Sequence, residues 1–306
     1  MGDDKPLVSV IIPTYKRPER LLPTVESALG QTYPNIEVIV VDDNGAGTPE
    51  QVATRASLEG YVASGRVRYI AHDVNRNGSA ARNTGFRASA GAYVNFLDDD
   101  DVMSPCKIAR QVARLAAADE STGGCYCNIK MVVRAFMRTK IIEPRFTLEG
   151  RFCREYLTRS SFNTSAILFK REAVERLGGF DETYPRHQDY EMMTRFFTLF
   201  GLCCCGPDSM IVYDLTRDRQ YAHRGADDFR LKEKFLCERK PYLDQMGIYA
   251  PVAHRFWLED VEVALRSHDH SHIRRALGRC RAAAPLTAGE VFYLAKLAVK
   301  RLTGMI

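Results

Sequence analysis

Residues 7–15 read LVSVIIPTY, a mainly apolar, β-branched run ended by Pro13. Such a run predicts a strand covered on both faces, as in a parallel sheet. The same figure recurs outward from it: IEVIVVDDN (36–44), VRYIAH (67–72) and AYVNFLDDDD (92–101) predict three more strands. Between the first two, RPERLLPTVESALGQ (17–31) sets Leu21, Leu22, Val25 and Leu29 at helical spacing, with Pro23 predicting a helix start near itself. SAARNTGFRASA (79–90) predicts a second helix with Ala81, Thr84, Gly85 and Ala88 on one face. Strands alternating with helices predict an α/β chain with a doubly wound, mainly parallel sheet. Ligands of such sheets gather outside the carboxyl ends of the strands. Here those ends are Thr14-Tyr15, Asp42-Asp43 and Asp98–Asp101, so polar chemistry converges on one edge.

The 306 residues, 45% of them hydrophobic, suffice for one large or two modest domains. The net charge of +5 lies mostly from Ala226 onward. That mild excess suits an anionic membrane or an acidic substrate and falls short of a nucleic-acid binder's basic footprint. Met1–Pro6 is polar and acidic without an apolar core, so no signal peptide is expected. No stretch approaches about 18 apolar residues, so no transmembrane helix is expected either. The nine cysteines are irregularly spaced, which predicts reduced thiols and a cytoplasmic chain. CYC (125–127) and LCCCG (202–206) lack the spacing of structural zinc sites and read as buried strand residues.

Beyond Asp101, Ser104-Pro105 predicts an N-cap and first helical residue, followed by an Ile108, Val112, Leu115 stripe. CYCNIKMVVRAF (125–136) and TSAILFK (164–170) predict strands, and REAVERLGG (171–179) a helix closed by Gly178-Gly179. QDYEMMTRFFTLFG (188–201) predicts an amphipathic helix, and from about Asp227 the chain reads as helical.

Four consecutive carboxylates at 98–101 repel one another, the more so in low dielectric. They form either a solvated turn capping the next helix or the seat of a cation. In an extended strand Asp98 and Asp100 would share a face. Oxygen donors at that spacing suit Mg²⁺ or Mn²⁺ and leave positions open for phosphate.

VSVIIPTYKR (8–17), VIVVDDN (38–44), NGSAARNTGF (77–86), YVNFLDDDDVMSP (93–105) and GGFDETYPRHQDYEM (178–192) follow in this order. Together, over residues 7–223, they resemble family 2 glycosyltransferases of the GT-A fold. The resemblance implies a nucleotide-sugar-binding part (1–103), an acceptor-binding and catalytic part (104–225) and a helical C-terminal extension (226–306). It implies that Pro13, Thr14 and Tyr15 flank the nucleotide, with the Tyr15 ring as a wall for the base. Asp42 and Asp43 would hold base and ribose, with Arg82 and Asn83 beside them. LDDDD matches the family's Asp-x-Asp, giving Asp98 to ribose or metal, Asp99 to the nucleotide site and Asp100 to the metal.

Asp189 matches the catalytic base, with Gln188 in place of the commoner first acid, which removes one cause of a raised pKa. His223 falls where some relatives carry a histidine near diphosphate or metal, and Arg224 could neutralise phosphate. The implied reaction is inverting transfer from a nucleoside-diphosphate sugar, UDP being the family's commonest carrier, to a glycan or lipid-linked hydroxyl. Mn²⁺ or Mg²⁺ would be the cofactor.

GEVFYLAKLAVKRLTGMI (289–306) carries Phe292, Ala295, Val299 and Leu302 on one side and Lys296, Lys300 and Arg301 nearer the other. Such a helix could lie on the inner face of an anionic membrane or pack on its own domain. HDHSH (268–272) has metal-binding residue types in a polar stretch and reads as a solvated turn. Two rivals remain: a non-catalytic nucleotide-sugar-binding module, and a sugar nucleotidyltransferase. The latter should show a glycine-rich phosphate loop that PTYKRPER (13–20) lacks.

Overall fold

A computed structural model describes residues 5–135, 138–159, 163–214, 226–267 and 270–302. The chain divides into two compact units, one of residues 1–152 with 161–218 and one of 153–160 with 219–306. His223 and Arg224 lie outside the described residues.

The first unit is built on one sheet. Its opening half alternates β1 (Val8–Thr14), α1 (Pro18–Leu29), β2 (Ile36–Asp42), α2 (Pro49–Ala63), β3 (Arg68–Ala71), α3 (Asn77–Ala88) and β4 (Tyr93–Phe96). There follow β5 (Asp101–Met103), α4 (Lys107–Ala116), β6 (Thr122–Ala135) and β7 (Arg138–Ile142). After α5 (Cys153–Arg159), which belongs to the second unit, come β8 (Ile167–Lys170), α6 (Arg171–Leu177), α7 (Gln188–Leu199) and β9 (Gly201–Asp214).

The strand order is β3-β2-β1-β4-β8-β6-β9-β5, with β7 paired to β6. β3, β2, β1 and β4 run parallel, as their apolar runs predict, while β8 is antiparallel to both its neighbours. The order turns back at β1, which lies between β2 and β4. That is a topological switch point, where a crevice opens at the carboxyl ends. Val10, Ile11, Ile12, Ile39, Val40, Val41, Val94 and Phe96 are fully or nearly fully enclosed between the helices. Each such side chain contributes about 1.5–3 kcal/mol. Gly85 lets α3 close on the sheet, since a Cβ there would meet Ile11 Cγ2 at 2.3 Å.

Local expectations need three corrections. α1 starts at Pro18, not near Pro23, and carries Pro23 inside it. Burial of Leu21, Val25 and Ala28 outweighs the one backbone bond that Pro23 removes. α4 starts at Lys107 with Cys106 as its cap, because Ser104 instead accepts a turn bond from the Lys107 amide. Finally, strand geometry stops at Phe96, and Asp98–Asp100 form a turn closed by Asp101 N–H on Asp98 O at 3.1 Å.

Cys125, Cys127 and Cys203 are buried strand residues as expected, Cys204 and Cys205 are half-buried, and all nine cysteines are unbridged. Among the described residues no helix is long and apolar enough to cross a membrane.

The second unit comprises α5, α8 (Ala226–Glu238), α9 (Lys240–Gln245), α10 (Tyr249–Ser267), α11 (His270–Ala283) and α12 (Ala288–Leu302). α10 is its axis, burying Val252, Phe256 and Val261. Burial opposes the charge on Lys232, but Asp260 at 2.8 Å, with Glu259 and Asp228, outweighs it and raises the lysine pKa. Thr287 and Glu290 cap α12 reciprocally, Thr287 N–H reaching Glu290 at 2.7 Å. α12 buries Leu294 and Leu297 while Phe292 stays 72% exposed. The His270–His272 part of HDHSH opens α11 and is no turn, with His272 edge-on to Phe229.

Candidate active site

The strand ends meet at the switch point as their sequences imply. Thr14 is in register with Asp42, and the Asp43 amide donates to Thr14 O at 2.9 Å. Pro13 is half-buried, Thr14 buried, and the Tyr15 ring 41% exposed under the Lys16 ammonium.

Asp42 and Asp43 are both buried, and their oxygens are engaged within the protein. Asp42 accepts from the Asn44 amide at 2.9 Å and the Tyr69 hydroxyl at 2.7 Å. Asp43 faces His72 Nδ1 at 2.7 Å and accepts from the Arg76 amide and the Asn75 side chain at 2.8 Å each. These bonds shape the loop leading into α3.

The four acids of the 98–101 turn diverge. Asp98 accepts from Arg82 Nη2 at 2.5 Å and from Asn163 at 3.3 Å. Asp99 turns inward to the Thr14 hydroxyl at 2.8 Å, with Arg17 at 3.4 Å. Asp100 pairs with Arg17 at 2.5 Å and Arg20 at 3.3 Å. Asp101 is wholly buried and accepts from Asn163 at 3.2 Å. Asp98 and Asp100 therefore do not share a strand face, because the backbone turns between them. Repulsion among the acids is met by three arginines and an amide.

The electrostatics carry the cost of this crowding. Burial, then repulsion from Asp100, pushes Asp99 up to about 7 against the pull of Arg17 and Thr14. Burial and Asp98 hold Asp101 well above the ordinary carboxylate range. Burial opposes the charge on Arg82, but Asp98 and Asp189 restore it and raise its pKa.

Asp189 stands in the first turn of α7, accepting from Thr164 at 3.2 Å. Burial raises its pKa, Arg82 opposes this and Asp98 adds to it. Gln188 indeed spares it a neighbouring acid, yet desolvation and Asp98 supply the rise. With its amide oxygen toward Arg82, Gln188 accepts from Nη1 at 2.7 Å and donates to Pro185 O at 3.2 Å.

Asn83 points away from the crevice edge and holds both sides of the Phe180 peptide, at 2.8 and 2.9 Å. Gly179 (φ 76°) makes room for it, since a Cβ there would lie 2.5 Å from Asn83 Oδ1. Three non-glycine residues adopt positive φ among those described: Lys16, Asn77 and His187. They stand directly after β1, at the start of α3 and before α7, where strain at a functional edge is tolerated.

Sequence reasoning missed several of these groups. Asn163, Thr164 and Ser165 form a polar turn before β8, and Ser165 Oγ accepts from the Asp98 amide at 3.0 Å. The polar triplet preceding the apolar AILF was the available signal. Arg17 and Arg20, the counter-ions of Asp99 and Asp100, were visible as KRPER after the first strand.

A cation could be held by Asp98 and Asp100, whose hard oxygens suit Mn²⁺ or Mg²⁺ when substrate phosphates complete the shell. The described residues offer no group of three His, Cys, Asp or Glu that would hold a metal by itself. As they stand each of these carboxylates is held by arginine, so a diphosphate would have to supply the rest of the shell.

The model of Glycosyl transferase family 2 matches residues 9–178, more than half the chain. The chain belongs to that family. It is 28% identical to the amylovoran biosynthesis glycosyltransferase AmsB of Erwinia amylovora over 253 residues, 81% of this chain and 82% of AmsB. It is 29% identical to the succinoglycan biosynthesis protein ExoO of Rhizobium meliloti, covering 70% of this chain but 62% of ExoO. EpsJ of Bacillus subtilis, an uncharacterized glycosyltransferase, is 40% identical over 56% of this chain and 50% of its own length.

Two solved structures share the fold. Residues 1–349 of S. aureus TarS, in complex with UDP-GlcNAc, superpose with TM-score 0.65 at 14% identity, covering 96% of this chain and 89% of that one. The mannosyltransferase PcManGT of Pyrobaculum calidifontis, in complex with GDP-Man and Mn²⁺, gives 0.61 at 21%, covering 98% and 88%. The fold of this family 2 chain is GT-A, a curled, mostly parallel sheet with a helical C-terminal part.

Proposed function

We propose that this chain transfers a sugar, with inversion, from a nucleoside-diphosphate sugar to a saccharide hydroxyl in polysaccharide assembly. The observation that carries it is the convergence of Asp98, Arg82 and Asp189 at the switch-point crevice, joined by one guanidinium. The names of AmsB and ExoO support the polysaccharide setting. TarS with UDP-GlcNAc and PcManGT with GDP-Man support a nucleotide-sugar donor, for which we propose UDP as carrier.

In this mechanism the crevice beside Thr14 and Tyr15 receives the nucleotide, with the exposed Tyr15 ring against the base. Asp42 and Asp43 act through the loop they brace. Asp98 and Asp100 would hold a divalent cation, Mn²⁺ or Mg²⁺, which when bound supplies Lewis-acid neutralisation of the diphosphate. Asp189 takes the proton of the acceptor hydroxyl as that oxygen bonds to the anomeric carbon from the face opposite the leaving group. The bond to the diphosphate breaks and its electron pair departs with the nucleotide.

Desolvation strengthens Asp189 as a base, and Arg82 opposes part of that rise. Thr164 fixes the carboxylate's orientation. No side chain needs to become covalently attached.

The deciding experiment is sugar transfer from UDP-, GDP- and TDP-sugars with Mn²⁺ to saccharide acceptors, comparing the parent with Asp189→Asn. Transfer by the parent that is lost in the variant, with donor binding kept, is the expected result. Equal turnover by both would refute the base assignment.

A further inference from the structure

The helical unit carries an open, shallow cavity of about 540 Å³ that the reaction above does not use. Arg230, Lys234, Lys240 and Arg279 line it against a single acid, Glu233. Its apolar wall is made by Leu236, Tyr249 and Trp257. The volume lies within the range of small-molecule sites. Two of the cations are already stacked on aromatic faces, Lys240 at 4.5 Å from the Tyr249 ring centre and Arg279 at 5.0 Å from that of Trp257.

Glu233 pairs with Arg279 and is also within 3.4 Å of Arg275, so its charge is already shared. Lys240 is paired with Asp244, whereas Arg230 has no ion-pair partner among the described residues. The lining therefore carries positive charge in excess of its own carboxylate, two of its cations being held in place by aromatic rings beneath them.

We propose that this cavity is a second saccharide site, taking an acidic sugar whose carboxylate or phosphate meets Arg230, Lys240 and Arg279. Guanidinium forks favour such oxyanions through paired charge-assisted hydrogen bonds. The choice of a saccharide rests on the transferase reading; the choice of an anion rests on the lining alone. Such a site would retain an acidic glycan through a contact separate from the acids and base of the crevice.

Trp257 is the only tryptophan of the chain and is 6% exposed, so it reports on this cavity without a label. An anion that draws Arg279 from the indole face changes its emission. The experiment titrates the full chain with trigalacturonate, glucose 1-phosphate, inorganic phosphate and neutral maltotriose, without donor or metal.

A saturable change with either acidic saccharide, absent with maltotriose and inorganic phosphate, is the expected result, and which acid saturates identifies the preferred oxyanion. Arg230→Gln with Lys240→Gln should weaken binding at least about tenfold, the loss of one charge-assisted hydrogen bond. The far-ultraviolet circular dichroism and melting temperature should stay at the parent values, which shows that this variant is folded. Silence with both acidic saccharides overturns the proposal, as does an equal response to maltotriose or to phosphate alone. Because no turnover is read, a negative result here leaves the transfer assay independent, and the reverse holds too.

Discussion

Arg82 donates to Asp98 at 2.5 Å and, through the same charge, holds down the pKa of Asp189. The two carboxylates that we propose as donor-side acid and base thus answer to one guanidinium. Changes at any of the three should be felt at the other two.

Asp189→Asn removes the proposed proton acceptor while keeping the shape of the side chain. Transfer should fall by roughly 10²–10⁴-fold, the usual worth of a general base. Donor binding, read by calorimetry, should stay within about twofold. In the parent, activity should rise with pH through a value above the ordinary 3.8, since burial and Asp98 favour the protonated form. A rate independent of pH from 4 to 8 would contradict this role.

Arg82→Gln takes away the charge that opposes the rise at Asp189. The acid limb of the pH–rate profile should move to higher pH. Stability should fall by roughly 1–3 kcal/mol, because Asp98 loses its charged partner in a half-enclosed site. An unshifted profile in a folded variant would break the proposed link between the two carboxyl groups.

Asp99 carries a stability signature of definite sign. Its folded value of about 7 lies above the ordinary 3.8, so between about pH 4 and 7 the folded chain holds a proton that the unfolded chain releases. Its contribution therefore favours the fold at low pH, is lost as pH rises through that window, and is flat above it. Asp99→Asn can still accept from Thr14 and should lose this dependence. Urea midpoints at pH 5 and pH 8 should differ less in the variant than in the parent.

Asp100→Ala should abolish the extra thermal stabilisation that Mn²⁺ adds to a UDP-sugar, while leaving most of the metal-independent shift. At a ligand concentration 100 times Kd, mass action alone gives about 2.7 kcal/mol, ample for a melting curve. Chelation with EDTA should mimic the variant in the parent. Undiminished Mn²⁺ enhancement would exclude Asp100 as a metal ligand.

Phe292 and Val299 remain exposed on α12 although Leu294 and Leu297 are packed. We propose that this outer face contacts the anionic inner surface of a membrane, with Lys296 beside it. Phe292→Asp should lower co-sedimentation with phosphatidylglycerol vesicles several-fold without changing the melting temperature. Equal sedimentation of parent and variant would leave α12 as an internal packing helix only.

The parallel half of the sheet was legible because its strands are dominated by consecutive apolar, mostly β-branched residues, as in VIIP and VIVV. The converging acids were legible for the same reason, being the first polar residues after each run. The turn at 98–100 was not. β4 ends at Phe96, one residue past its last pairing with β8, Asn95 with Leu168, and that partner lies more than seventy residues away. Asn163 and Thr164 were hidden by the same distance, since their meaning depends on β8 lying antiparallel beside β4. Arg17 and Arg20 were missed, because counter-ion choice depends on which way a turn throws its carboxylates.

The amide of Asn83 grips the Phe180 peptide from both sides, just one residue along the chain from Arg82. The segment leading to the proposed base is thereby riveted to α3. In consequence, changes on surfaces distant from this rivet should leave the spacing of the proposed reacting centre intact.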